Sequence, residues 1–149
     1  QLLILGLFSG LIFGSLYKIY LEKKTGLFFS TLELENIFEM KFIDKVSINQ
    51  FDKLKEKLNF FLNITKKENN KKSIFISVGD NENCLNKIKN TYKDNLNVDF
   101  YGSNFSEINQ GSSIYLIVYL QKTKKLELFE IRNKLERLNN KISGILVLN

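Results

Sequence analysis

The sequence predicts an α/β chain: an N-terminal transmembrane helix followed by a small, mainly parallel α/β domain. Two observations carry this. From Leu2 to Tyr17 no side chain ionises except the tyrosine phenol, and apolar character continues past Lys18 to Leu21, about the length that crosses a bilayer core as a helix. Further on, short and almost continuously apolar runs alternate with stretches of helical periodicity, which is the pattern of strands buried on both faces by crossover helices.

The apolar helix has a distinct face. Gly6, Gly10 and Gly14 recur every fourth residue, flanked by Ser9 and Ser15, so one stripe carries almost no side chain and admits a neighbouring backbone. Lys18, Lys23 and Lys24 follow against Glu22 alone, which places the C-terminal side in the cytoplasm by the positive-inside tendency. The Lys18 stem can lie along the acyl region while its ammonium reaches the headgroups, and Tyr17 and Tyr20 suit the same interfacial depth. A cleaved signal peptide would need basic residues before the run and a small-residue cleavage site after it. Neither is present. The chain begins with Gln1 rather than Met, so the expectation is the tail of a longer protein.

After the Thr25-Gly26 break, Ser30-Thr-Leu-Glu33 has capping-box spacing. It predicts a helix over 31–39 with Leu34, Ile37 and Phe38 on one face. Met40 to Ile48 reads as a weak strand. Gln50 to Leu62 places Phe51, Leu54, Leu58, Phe61 and Leu62 at helical spacing, with lysine and glutamate opposite. Its apolar face is expected to meet a core rather than a membrane surface. Thr65 to Lys72 is a polar, charged connector with nothing to bury.

Ser73 to Gly79 is a compact apolar run, and Asn81 to Lys93 follows as a helix turning Cys84, Leu85, Ile88 and Tyr92 inward. Asn97 to Gly102 reads as a second strand. Ile114 to Leu120 is the strongest strand signal, Lys124 to Leu138 a helix with Leu128, Ile131, Leu135 and Leu138 at core spacing, and Ile142 to Leu148 a last buried strand. The expected organisation is 1–24 as transmembrane helix and basic exit, 25–72 as a juxtamembrane helical segment and linker, and 73–149 as the small α/β domain.

Composition narrows the chemistry. Among 149 residues there is one cysteine and no histidine, which excludes an internal disulfide, imidazole-based triads and cysteine-rich metal sites. The formal charge is +6, but the lysines are dispersed among glutamate and asparagine and only Arg132 and Arg137 could fork onto phosphates. No nucleic-acid partner is therefore expected; anionic lipid headgroups beside the membrane helix are the expected acidic partner.

In a parallel α/β fold, phosphate is held at the turn after the first strand. Here that turn reads Ser77-Val-Gly-Asp-Asn-Glu-Asn-Cys-Leu85, without the second glycine, lysine and hydroxyl of a P-loop. Asp80 and Glu82 would repel a triphosphate, and Ile114 to Leu120 ends in Gln121-Lys122 without an aspartate for magnesium. Asp80, Asp99 and Glu107 form no recognisable carboxylate pair, and the tyrosines at 92, 101, 115 and 119 are better read as packing residues than as phosphate acceptors. Cys84 reads as a small buried hydrophobe. No cofactor, metal or catalytic residue is expected.

Taken together, the glycine-striped helix with its basic exit, the segment TGLFFSTLELENIFEMKFIDKVS, and the C-terminal SSIYLIVYLQKTKKLELFEIRNKLERLNNKISGILVLN resemble the C-terminal half of bacterial polysaccharide co-polymerases. These are the O-antigen chain-length determinant proteins, whose cytoplasmic part in many members is a P-loop tyrosine kinase. Lys122-Thr123 and Ser143 to Asn149 fall where the family's kinase domain has a "kt" pair and a final "GvvLN" strand. The proline and glycine of the family's segment after the second membrane helix are missing, as are its Walker motif, its aspartate-bearing strands and its closing tyrosine cluster. No family catalytic residue carries over. The resemblance implies a degenerate, P-loop-less and non-catalytic cytoplasmic domain on an inner-membrane protein of lipopolysaccharide or surface polysaccharide biosynthesis and export. It further implies homo-oligomers, a polysaccharide polymerase or export protein as partner, and a periplasmic domain and first membrane helix before Gln1. Two alternatives stand beside it: a membrane-tethered kinase or ATPase with an atypical nucleotide site, and a membrane-anchored α/β adaptor unrelated to polysaccharide.

Overall fold

A computed structural model describes residues 2–27, 30–40, 43–67, 72–79, 82–106, 108 and 111–149; for Leu2 to Leu5, Leu7, Ile43, Glu82 and Asn83 it describes the backbone alone. Five strands form one sheet in the order β1-β5-β4-β2-β3, every neighbouring pair parallel. They are β1 (Ile43–Val46), β2 (Ser73–Val78), β3 (Val98–Tyr101), β4 (Ser113–Tyr119) and β5 (Ile142–Leu148). The helices are α1 (Leu2–Thr25), α2 (Thr31–Phe38), α3 (Phe51–Lys67), α4 (Glu82–Thr91) and α5 (Lys125–Arg137). The mainly parallel α/β domain expected from the apolar runs is thus present.

The three central strands are buried on both faces because helices cover each. Ile74, Ile76, Leu116, Val118, Ile145 and Val147 pack with Leu34 and Ile37 of α2 and Leu128, Ile131 and Leu135 of α5. The alternate residues Phe75, Tyr115, Ile117 and Leu146 pack with Leu54, Leu58 and Phe61 of α3 and Cys84 and Ile88 of α4. Period-two alternation sends successive side chains to opposite faces, so a strand between two helical layers must be apolar throughout. Each fully buried Leu, Ile or Phe contributes about 1.5–3 kcal/mol relative to exposure. The core therefore dominates the stability of the domain.

Three local expectations are modified. The polar run from Thr65 does not leave the fold at once: α3 continues to Lys67, and Thr65, 1% exposed, bonds through Oγ1 to the Tyr115 hydroxyl at 2.7 Å. Tyr115 stacks between Phe61 and Phe75, with ring centroids 4.8 and 5.2 Å apart. The register between β4 and β5 shifts beside it, and Gly144 lies opposite, where a Cβ would stand 3.1 Å from the Tyr115 ring. The second change concerns Ser30. It caps α2 by accepting from the Leu32 amide, and the Glu33 carboxylate turns instead to Lys125. The third is that the weak strand expected to reach Ile48 ends at Val46; as β1 it pairs in register with β5 from Ile43 opposite Ile145 to Val46 opposite Leu148, while 41–42 lie outside the described residues.

Among the described residues no helix is long and apolar enough to cross a membrane. The side chains of Leu2 to Leu5 and Leu7, on which the expected span depends, lie outside the described ones. The backbone of α1 is helical over 24 residues, about 36 Å at 1.5 Å per residue.

Candidate functional site

The functional expectations fall at two places: the small-residue stripe with its lysines on α1, and the carboxyl ends of the central strands. On α1 the side chains from Phe8 to Tyr20 are all exposed. Phe8, Leu11, Ile12, Phe13, Leu16, Tyr17, Ile19 and Tyr20 are 50–71% exposed, spread around most of the helix circumference. A Cβ added at Gly6, Gly10 or Gly14 would meet no atom within 4 Å, so the stripe is uncovered in the single chain. The hydroxyls of Ser9 and Ser15 turn back to the carbonyls of Gly6 and Leu11, at 3.0 and 2.8 Å, and present no unsatisfied donor to the surroundings. Lys18, Lys23 and Lys24 are all exposed, and Lys24 Nζ lies 5.7 Å from the centroid of the Tyr20 ring.

The second place follows from the connections. The crossover from β2 leads through α4 to β3 on one side, and that from β4 leads through α5 to β5 on the other. The chain therefore diverges between β2 and β4, the topological switch point where open α/β sheets receive ligands. Here Thr123 spans the gap. Its Oγ1 donates to the Val78 carbonyl at 2.7 Å and accepts from the Tyr119 amide at 3.1 Å, and the residue is fully buried. Gly79 has φ +104°, and a Cβ there would lie 2.5 Å from that same oxygen. Glycine is required on both counts. Beneath lie Ser77, Cys84 and Tyr119, all buried. Burial pushes the Tyr119 phenol well above its ordinary range, which favours its neutral form. Asp80 and Asn81 lie outside the described residues, as do the side chains of Glu82 and Asn83.

The remaining candidates are dispersed. Asp99 sits on β3 and pairs with Lys72 at 2.6 Å; Glu107 lies outside the described residues. Tyr92 donates to Asn59 Oδ1 at 2.8 Å, and burial pushes its phenol up to about 12. No group of acidic or cysteine side chains suited to a metal ion occurs among the described residues. A depression of about 410 Å³ between the ends of α2 and α5 is lined by Arg132 and Asn140, but Arg132 already binds the Ile37 carbonyl at 2.7 Å and Glu136 at 2.8 Å.

A feature that no local pattern announces joins the two places. Beyond α1, Leu27 forms an antiparallel bridge with Lys124, and the Lys125 amide donates to the Gly26 carbonyl at 2.9 Å. The Lys125 ammonium then binds both Glu22 of α1 and Glu33 of α2, the latter at 3.2 Å. Partial burial holds the Glu33 carboxyl above its usual range, and the neighbouring Glu22 adds to this. The Lys125 ammonium also loses solvent, yet its bonds to the two carboxylates raise its pKa overall. The exit of α1 is thereby fastened to the start of α5, directly after Thr123. Glu22 and Lys125 stand 103 positions apart in the chain, which is why periodicity and spacing miss the joint.

No family model, curated protein or solved structure matches this chain.

Proposed function

We propose that this chain is a membrane-anchored, non-catalytic scaffold in which α1 crosses the bacterial inner membrane and the α/β domain lies in the cytoplasm. The observation that carries the reading is the set of eight large apolar side chains on α1 that are at least half exposed. An isolated helix that is apolar on nearly every side has no stable place in water, whereas lipid both buries it and enforces its backbone bonds. Its apolar stretch from Leu2 to Leu21, about 30 Å at 1.5 Å per residue, matches the roughly 30 Å hydrocarbon core.

Within that frame, Gly6, Gly10 and Gly14 form the contact stripe for a second membrane helix, and Lys18, Lys23 and Lys24 sit at the cytoplasmic headgroups. The resemblance to polysaccharide co-polymerases supplies the process: control of lipopolysaccharide or surface polysaccharide chain length and export, by homo-oligomers whose packed membrane helices set the size of the scaffold. The closure of the β2–β4 switch point by Thr123 favours this over a tethered kinase or ATPase. The test is Gly10→Leu with Gly14→Leu, read as polysaccharide size distribution in cells and oligomer mass in detergent. Both are expected to shift. Unchanged values would remove the packing role, and saturable magnesium-ATP binding by calorimetry would bring back the nucleotide reading.

A further inference from the structure

Outside α1, the large hydrophobic side chains standing exposed among the described residues are Leu32, Phe60, Leu96, Leu126 and Phe129. Three of these five surround the joint at the exit of α1. Leu32 is next to Glu33, Leu126 is next to Lys125, and Phe129 lies one turn along α5. Leu32 and Leu126 are 67% and 68% exposed, although each occupies the first turn of a helix that buries Leu34 and Ile37, or Leu128, Ile131 and Leu135, in the core. Single exposed leucines need no explanation, but a group at one end of a domain does.

The same end is basic. Lys23, Lys24, Lys122 and Lys124 are exposed around the joint, while Lys125 offsets one of the two carboxylate charges of Glu22 and Glu33, and Glu127 bonds back to the Lys124 amide at 3.3 Å. Apolar residues within a fringe of lysine match a boundary where acyl chains meet anionic headgroups. Continuity with α1 brings that boundary to the site: only Gly26 separates the end of α1 from Leu27, which bridges to Lys124 just before α5.

We propose that this end of the domain is seated on the anionic inner leaflet, with Leu32, Leu126 and Phe129 at the headgroup and acyl boundary and Lys122 and Lys124 on lipid phosphates. The proposal rests on α1 being a membrane span. Its consequence is that the carboxyl ends of β2 and β4 face the bilayer, so that any ligand reaching the switch point approaches along the lipid surface.

The chain has no tryptophan, so a single introduced indole reports its own depth. The full chain carrying Leu126→Trp or Phe129→Trp is reconstituted into phosphatidylcholine–phosphatidylglycerol bilayers containing brominated lipid, with Phe13→Trp as the reporter of the span. Seated about 5–10 Å into the boundary, the two domain indoles lose about half of their emission to shallow bromines. The quenching disappears with Lys122→Glu plus Lys124→Glu, and in pure phosphatidylcholine. If Phe13→Trp is quenched while the domain indoles answer only to aqueous acrylamide, the span stands and the seat is overturned. A blue-shifted domain indole insensitive to bromine also overturns it, because a second copy of the chain then covers the patch. An unquenched Phe13→Trp overturns the span and the seat together. Unchanged thermal melting of each variant separates these outcomes from misfolding.

Discussion

The helix α1 and the strand β4 are both rich in large apolar side chains, yet their surroundings are opposite. Every residue of β4 is buried by its own chain, between α5 on one face and α3 and α4 on the other. The side chains of α1 from Phe8 to Tyr20 meet no such cover. The difference lies in what the flanking sequence supplies. Amphipathic helices before and after the strand carry complementary stripes, whereas α1 is followed by lysines and a glycine break. Apolar content by itself does not decide burial. Large apolar side chains are covered where the same chain supplies half-apolar partners and stand exposed where it does not.

The sharpest way to break this comparison is one substitution type in both regions. Gly144→Leu on β5 forces a side chain into a space where even a Cβ lies 3.1 Å from the Tyr115 ring and 3.4 Å from Phe61. Overpacking of this kind is expected to cost about 3 kcal/mol and to lower the melting temperature of the domain sharply. Gly10→Leu, where a Cβ meets nothing within 4 Å, is expected to leave domain melting in detergent unchanged within about 0.5 kcal/mol. Equal losses would mean that α1 is packed against the domain after all.

What could be read in the sequence follows the same division. The core strands were legible because burial on both faces leaves a continuous apolar run, and α5 was legible from Leu128, Ile131 and Leu135 at core spacing. The end of α3 was not, because polarity marks Thr65 for solvent while its hydroxyl in fact completes a buried bond to Tyr115. That Ser30 caps α2 was readable; that its hydroxyl takes the Leu32 amide rather than that of Glu33, and that Glu33 turns to Lys125, 92 positions away, was not. The glycine stripe of α1 is a pattern of the sequence alone. The closure of the switch point by Thr123 is a pattern of the fold alone, because an isolated threonine after a strand carries no sign that two strand ends will meet on its hydroxyl.

That closure gives the next effect in size. Thr123→Val keeps the shape but leaves the Val78 carbonyl and the Tyr119 amide without their buried partner, which is expected to cost about 2 kcal/mol. Thr123→Ser retains the hydroxyl and should recover most of it, as urea unfolding would show. If valine is tolerated as well as serine, the gap between β2 and β4 is not held by this hydroxyl and the site is looser than its geometry indicates.

The smallest effect is at the joint, where the two regions meet. Lys125 is about one-third exposed and its partners slightly less, so solvent screens the ion pairs and Lys125→Met is expected to cost no more than about 1 kcal/mol at neutral pH. The sign of its pH dependence is specific. Glu33 has a raised pKa in the fold, so its own ionisation reduces stability as pH rises through the carboxylate range, and Lys125 offsets that loss. Removing the lysine therefore does harm only where Glu22 and Glu33 are charged. The stability difference between the variant and the wild type should be present at pH 7 and shrink toward zero as pH falls below about 4. A difference that persists undiminished in acid would assign the role of Lys125 to the packing of its aliphatic stem between α1 and α5, and the joint would then hold the two regions together by contact rather than by charge.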